Sequence, residues 1–540
     1  MTKNQSPRAI PDTADIGRLE DALPDHARRV VLRAVAVGVP SAAMLSMAGG
    51  CAAPGAAAGP DRSSGVADLT ATEAVRHIRD GDMKAEAYMS VLLDRARRYR
   101  SLNAFTWLDE SSALQSARAV DLARAQGQSP GMLAGLPLAV KDNIDTVGFP
   151  TSAGTPSLKK NFPRMNALVV DKLFGQGAVL LGKTNMHELA IGGTSSNPAF
   201  GFVRNPYDTD RIPGGSSGGT AAAIAARIAP AGLGTDTAGS VRIPAAFCGI
   251  AALRPTTAGR RGAYSLDGVV PLEFELDTIG PMARTVADVA LLDAAISGRR
   301  VPSPASLKGL RIGVPRADYW EDLGPGVLDT LESAMARLRE HGVAFIDIDM
   351  KGLQRRARDV YNQMNAAGFG RDLASYLAVR MPGLTLDQVI EQLASADVKS
   401  RFVPWPAHPS DEAMAVLRRQ TLPALVAEYR EIFRSRRIEA LAFPTEPVVA
   451  PLILKGGDRS DATVELNGRR VNRGLLLIRN TPATGGIGFP GLSLPAGLSS
   501  QGLPVGLELD GLPDTDSALL GIGIAIENAL GPLPPPRLAA

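Results

Sequence analysis

Two serine- and glycine-rich segments lie 24 residues apart in this chain: Gly214-Gly215-Ser216-Ser217-Gly218-Gly219 and Thr235-Asp236-Thr237-Ala238-Gly239-Ser240. A lysine, Lys141, precedes Ser216 by 75 residues. Together they supply what acyl transfer needs: a nucleophile, a base and free backbone N–H groups for an oxyanion. A lysine acts as a base near neutral pH only where burial removes the solvation that favours its charged form. Lys141 closes the apolar run Leu136-Pro137-Leu138-Ala139-Val140, so its amine would emerge from a sheet interior. A serine hydroxyl between that amine and a second serine would relay the proton. Asp142 offers the competing role, a structural ion pair with Lys141.

Two other motifs invite different chemistry. Gly177-Ala178-Val179-Leu180-Leu181-Gly182-Lys183-Thr184 satisfies the phosphate-loop pattern GxxxxGK[ST], but Ala-Val-Leu-Leu favours a buried strand over an open loop. Gly214-Gly215-Ser216-Ser217-Gly218 matches GxSxG, which would make Ser216 the nucleophile of a Ser-His-Asp hydrolase. That reading needs a downstream histidine, His341 or His408. The first sits at an apparent exposed helix end and the second among prolines, and no strand precedes the motif.

The bulk composition is that of a globular protein with a large core: 540 residues, 45% hydrophobic and 21% charged. A net charge of +3 without a run of five like charges argues against a nucleic-acid partner. Two cysteines, Cys51 and Cys248, and five scattered histidines offer no disulfide network and no metal-ligand spacing, so neither metal nor cofactor is expected. Residues 1–65 read as an export leader and linker. Arg28-Arg29 precedes a weakly hydrophobic, uncharged stretch over 34–60, which resembles a twin-arginine signal. Ala48-Gly49-Gly50-Cys51 resembles a lipoprotein box, and a lipidated Cys51 would attach the chain to a membrane. The expected location is exported, periplasmic or lipid-anchored; an Ala-rich leader with no address is the alternative.

The body must place these groups. Thr70-Ala71-Thr72-Glu73 predicts a capped helix start, followed by helices over 85–99 and 112–125. Strands are expected over 136–140 and 178–181, with helices over 167–176 and 220–227. Further strands fall at 310–315, 343–348, 491–495 and 505–509, with a helix over 324–341. Residues 350–440 read as a helical insertion lining a substrate cleft, carrying Tyr361, Met364, Phe369, Tyr376, Phe402 and Trp405; core packing of those aromatics is the alternative. The alternation predicts one large layered α/β domain over 66–535.

Lys141, the Gly-Gly-Ser-Ser-Gly-Gly loop and Thr-Asp-Thr-x-Gly-Ser resemble the amidase signature family. The likeness runs from about residue 66 to 530 and includes Gly182-Lys183-Thr184-Asn185-Met186-His187-Glu188, Arg242-Ile243-Pro244-Ala245 and Gly280-Pro281-Met282-Ala283-Arg284-Thr285. The resemblance implies an α/β/α domain around a mixed sheet that hydrolyses a small-molecule amide with water. It makes Ser240 the nucleophile, Lys141 the base, and Ser216, after a cis peptide from Gly215, the bridge. It assigns the oxyanion donors to the N–H groups of Thr237, Ala238, Gly239 and Ser240, with Gly215, Ser217, Asp236 and Arg242 in support. Arg211-Ile212-Pro213-Gly214 and Arg254-Pro255-Thr256-Thr257 look most like bacterial hydrolases of indoleacetamide and mandelamide, implying an aromatic or neutral amide. Anilides, carbamates and esters are the alternative substrates. The chain departs from the family at Ala238-Gly239, where two glycines are usual, and at Ala251-Ala252. The Ala238 methyl would either narrow the pocket or, at positive φ, strain the turn.

Overall fold

The computed structural model describes residues 62–257, 264–350, 352–403 and 407–538. The leader motifs, Cys51 and Trp405 lie outside the described residues. The compact unit begins at Arg62, and its first helix, Arg62–Ala67, starts inside the span expected to be leader and linker. Thr70 then forms a full capping box with Glu73 at the start of the helix Ala71–Asp80, which stops at left-handed Gly81.

Eleven strands form one mixed sheet. In chain order they are β1 (Phe105–Trp107), β2 (Pro137–Lys141), β3 (Val179–Thr184), β4 (Ala231–Asp236), β5 (Ala251–Arg254), β6 (Thr278–Ala283), β7 (Arg311–Val314), β8 (Ala344–Asp347), β9 (Ala440–Pro444), β10 (Gly491–Leu498) and β11 (Pro504–Asp510). Their spatial order is β1-β3-β2-β4-β6-β5-β10-β11-β9-β7-β8. Helices pack on this sheet: Glu110–Ala125 against β3, Val286–Ser297 against β5 and β6, and Asp516–Leu530 against β10. Strands β2 to β6 are buried at every residue, as expected of strands covered on both faces.

The site follows from one register. β2 and β4 are parallel neighbours, with Leu138 opposite Ala231 and Val140 opposite Leu233. Their carboxyl ends therefore coincide, and Lys141, the last residue of β2, comes alongside Thr235 near the end of β4. Crevices at strand carboxyl ends are where layered α/β folds bind ligands. The helix Gly218–Ala225 begins two residues earlier than the sequence suggests and lies directly over β4. Gly234 makes this possible, because a Cβ there would come within 2.6 Å of Ser217 Oγ.

Lys183 is no phosphate ligand. β3 extends through Thr184, so the lysine is a buried strand residue. Its amine donates to Ile144 O at 2.7 Å, Pro150 O at 3.2 Å and Thr151 Oγ1 at 3.1 Å, and lies 3.5 Å from Asp142 Oδ1. Asp142 thus pairs with Lys183 and not with Lys141. Lys183→Met leaves that buried carboxylate and two carbonyls without their cation, so it should cost about 3–5 kcal/mol. Urea unfolding checks this; an unchanged midpoint would contradict the structural role.

Candidate active site

Lys141 is fully buried, and its contacts are hydroxyls and a carbonyl. The amine lies 2.7 Å from Ser216 Oγ, 2.8 Å from Thr235 Oγ1 and 3.5 Å from Thr235 O. Asn143 Nδ2 donates to the same Thr235 hydroxyl at 3.1 Å. Among the described residues no carboxylate oxygen lies within 4 Å of the amine. Burial pushes the lysine down to about 7, against the more distant pull of Asp236 and Asp277. An amine in this setting is a base at neutral pH.

Ser216 follows a cis peptide bond from Gly215. The bond lies in a close-packed turn, where a Cβ on residue 215 would come within 2.7 Å of Thr194 N. Ser216 O accepts from His187 N at 3.1 Å and from Ser195 Oγ at 3.3 Å. Ser217 joins the two glycine-rich segments: its N–H donates to Ser240 O at 3.1 Å, and its hydroxyl accepts from Thr235 N at 3.3 Å. Ser240, Thr237 and Ala238 open onto a cavity of about 360 Å³. Among the described residues Ser240 Oγ makes no hydrogen bond, so its hydroxyl is available to the cavity. A larger cavity, of about 860 Å³, is lined by Tyr264, Asp277, Met364 and Tyr376 but not by Ser240. The chemistry belongs to the smaller one.

Asp236 shapes the turn over 237–240. Its carboxylate accepts from Gly239 N at 2.9 Å and Val241 N at 3.3 Å, and it is clamped by Arg242 (Nε, 3.1 Å) and Arg254 (Nη1, 3.0 Å). Burial would raise this carboxyl, but the two guanidiniums hold it well below the ordinary range. Arg242 also reaches Glu508 Oε1 at 2.7 Å and Thr481 O at 3.1 Å. Thr237 Oγ1 donates to Asp277 at 2.5 Å. One expectation needs correction: the Gly239 N–H is spent on Asp236 and does not face the cavity. Thr237, Ala238 and Ser240 keep N–H groups that make no hydrogen bond among the described residues. Gly239 is required for another reason. It sits at φ +123°, and a Cβ would meet Thr481 Cβ at 2.7 Å.

The helical segment supplies part of the wall. Tyr361 and Asn365, one turn apart on the helix Leu353–Gly368, line the Ser240 cavity with Phe369, Asp397 and Arg401. Met364 and Tyr376 face the larger cavity, while Phe402 is buried with its ring 4.6 Å from that of Phe369. His341 and His408 are exposed, and His408 Nδ1 lies 2.7 Å from Ala366 O, so neither serves Ser216. Cys248 is buried, with Sγ 3.3 Å from Pro213 O, and burial holds its thiol far above the ordinary value. Thr235, Asn143, Arg254 and Asp277 had no assigned role from sequence. Thr235 stands inside the second glycine-rich segment, and its position was the available signal.

The buried amine, the hydroxyls beside it and the strand-end turn that carries Ser240 thus lie together at the carboxyl ends of two neighbouring strands. Residues 87–520 match the amidase family model. The chain belongs to the amidase signature family, and it is an amidase. It is 38% identical over 470 residues to an indoleacetamide hydrolase of Rhizobium radiobacter, covering 86% of this chain and 98% of the relative. A mandelamide hydrolase of Pseudomonas putida is 36% identical over 486 residues, which is 87% of this chain and 93% of that one. In structure it resembles a peptide amidase solved with the competitive inhibitor chymostatin, with TM-score 0.74 and 28% identity over 88% of this chain and 100% of the other.

Ala238 lies outside the left-handed backbone region, so its methyl strains nothing and simply lines the cavity. Ala238→Gly should therefore relieve no strain and should lower stability by about 0.4–1 kcal/mol through the looser unfolded chain. It should also lower KM for bulkier amides. Thermal unfolding and a substrate series measure both, and a rise in melting temperature would restore the strain explanation.

Proposed function

We propose that the enzyme hydrolyses a neutral aromatic or arylacetamide-like amide through an acyl-enzyme on Ser240, with Ser216 and Lys141 moving the proton. The observation that carries this is the 2.7 Å contact between Ser216 Oγ and a fully buried lysine amine with no carboxylate at hand. Neutral Lys141 takes the Ser216 proton while Ser216 takes that of Ser240, across a contact that tightens when substrate binds. Ser240 Oγ attacks the carbonyl carbon, and the oxyanion forms against the N–H groups of Thr237, Ala238 and Ser240. Each well-aimed donor of this kind lowers the barrier by about 3 kcal/mol. The proton returns through Ser216 to the leaving amine, the C–N bond breaks, and water repeats the cycle on the ester to release the acid.

The substrate class rests on two supports. Ile191, Ile243, Leu272, Tyr361, Phe369 and Leu475 give the cavity an apolar wall suited to an aryl group. The relatives named for indoleacetamide and mandelamide act on arylacetamide-like amides. The leader motifs support an exported enzyme.

A fluorophosphonate probe followed by peptide mass spectrometry should place the adduct on Ser240. Ser240→Ala should lower turnover of indoleacetamide or mandelamide by about 10⁴-fold or more. An adduct on Ser216, with Ser240→Ala fully active, would transfer the nucleophile to Ser216.

A further inference from the structure

His187 takes no part in the steps above, yet it is fully buried behind the Ser240 cavity and its contacts define its protonation state. Its Nδ1 lies 3.2 Å from Thr194 Oγ1, and its Nε2 lies 3.0 Å from Asp397 Oδ2. Thr194 has one hydroxyl proton, which it donates to Asp458 Oδ2 at 2.5 Å. Asp458 is itself paired with Arg473 (Nε to Oδ1, 3.1 Å), so its carboxylate only accepts. The threonine lone pairs then receive Ser196 N–H at 3.2 Å and the His187 Nδ1 side. Nδ1 must therefore carry a proton. Nε2 lies 3.0 Å from the Asp397 carboxylate, an ion-pair distance without a directed hydrogen bond, and that negative charge favours a proton there as well; a ring protonated at both nitrogens is an imidazolium.

Thr194, Asp397, Asp458 and Arg473 all line the cavity. They come from the loop after His187, the helix Ala396–Phe402, and the chain around the hairpin Thr463–Leu466/Arg469–Asn472. The His187 backbone meanwhile holds Ser216 O. We propose that His187 is a positioning residue that works as an imidazolium, tying three walls of the substrate cavity to the backbone of the bridging serine. Its kinetic consequences rest on the Ser240 mechanism, whereas its protonation state rests on these contacts alone.

Every charged group facing the ring bears on that state. Burial disfavours the charge, but Asp397, Asp458 and Glu188 outweigh it and hold the imidazole above its ordinary 6.5. The cation Arg473 lies at ion-pair distance from Asp458, 3.1 Å. The Glu188 carboxylate also accepts Ser395 N at 2.7 Å, at the start of the helix carrying Asp397. A raised histidine value means the tie is fully present below the ordinary 6.5 and is lost as pH rises through the raised value. Losing it frees the Asp397 wall and weakens substrate binding, while the Lys141–Ser216 pair is untouched.

The test combines spectroscopy with kinetics. Nitrogen-15 spectra of enzyme labelled at its five histidines should show one imidazolium that gives up its proton only above the ordinary 6.5. That signal should vanish in His187→Gln. His187→Gln and Asp397→Asn should each raise KM about tenfold with kcat changed by less than about twofold, and both should lose the alkaline rise in KM of the parent. Asp397 is partly exposed, so its asparagine variant keeps the kinetic arm should His187→Gln fail to fold. A His187 signal that titrates at or below the ordinary 6.5, or an unchanged KM in Asp397→Asn, would overturn the proposal. Were no amide turned over at all, the imidazolium signal alone would still decide it.

Discussion

The burial of one lysine amine without a counter-charge is the constraint on which this structure turns. Holding Lys141 neutral near pH 7, against an ordinary value of 10.5, costs the folded chain on the order of 5 kcal/mol at neutral pH. The chain separates amine and carboxylate at the end of β2: Lys141, its last residue, meets Ser216 and Thr235, while Asp142, in the turn that follows, pairs with Lys183. The neighbouring strands thus hold two buried lysines with opposite duties. Lys183 is paired with Asp142; Lys141, with no carboxylate beside it among the described residues, is the proposed base.

The same economy governs the turn that carries Ser240. Asp236 spends its carboxylate on Gly239 N–H, Val241 N–H and two arginines, which fixes the turn geometry and leaves the Thr237, Ala238 and Ser240 N–H groups unclaimed. It also keeps a strong negative charge fully tied to guanidiniums close to Lys141. A carboxylate free to turn toward the lysine would recharge it. In the proposed mechanism the arginine pair therefore protects the base as well as the oxyanion site, and Ser217 locks the two glycine-rich segments together at Ser240 O.

Much of this was legible in the residues. The capping box at Thr70 and Glu73 announced its helix, and Ala-Val-Leu-Leu before Gly182 announced a strand where a motif suggested a loop. Lys141 stands out at the end of an apolar run, and Ser216 and Ser240 stand out inside the two glycine-containing segments. β4 was not legible: Ala-Gly-Leu-Gly-Thr-Asp has one large apolar side chain, because Gly234 must admit the Ser217 side chain and the start of the helix above it. Arg254 and Asp277 were also hidden, since a clamp assembled from β5 and the segment before β6 has no sequence spacing of its own. The fate of the Gly239 N–H depended on which way the Asp236 carboxylate turned, and only the tertiary fold decides that.

The most direct measurement is the rate at which Ser240 reacts with a fluorophosphonate as a function of pH. If Lys141 is the neutral base, the rate should rise with pH through a single ionisation near 7, level off above it, and collapse in Lys141→Met at every pH. A rate that is flat across that range, or that rises only above about pH 9 as an ordinary lysine would require, would contradict the account.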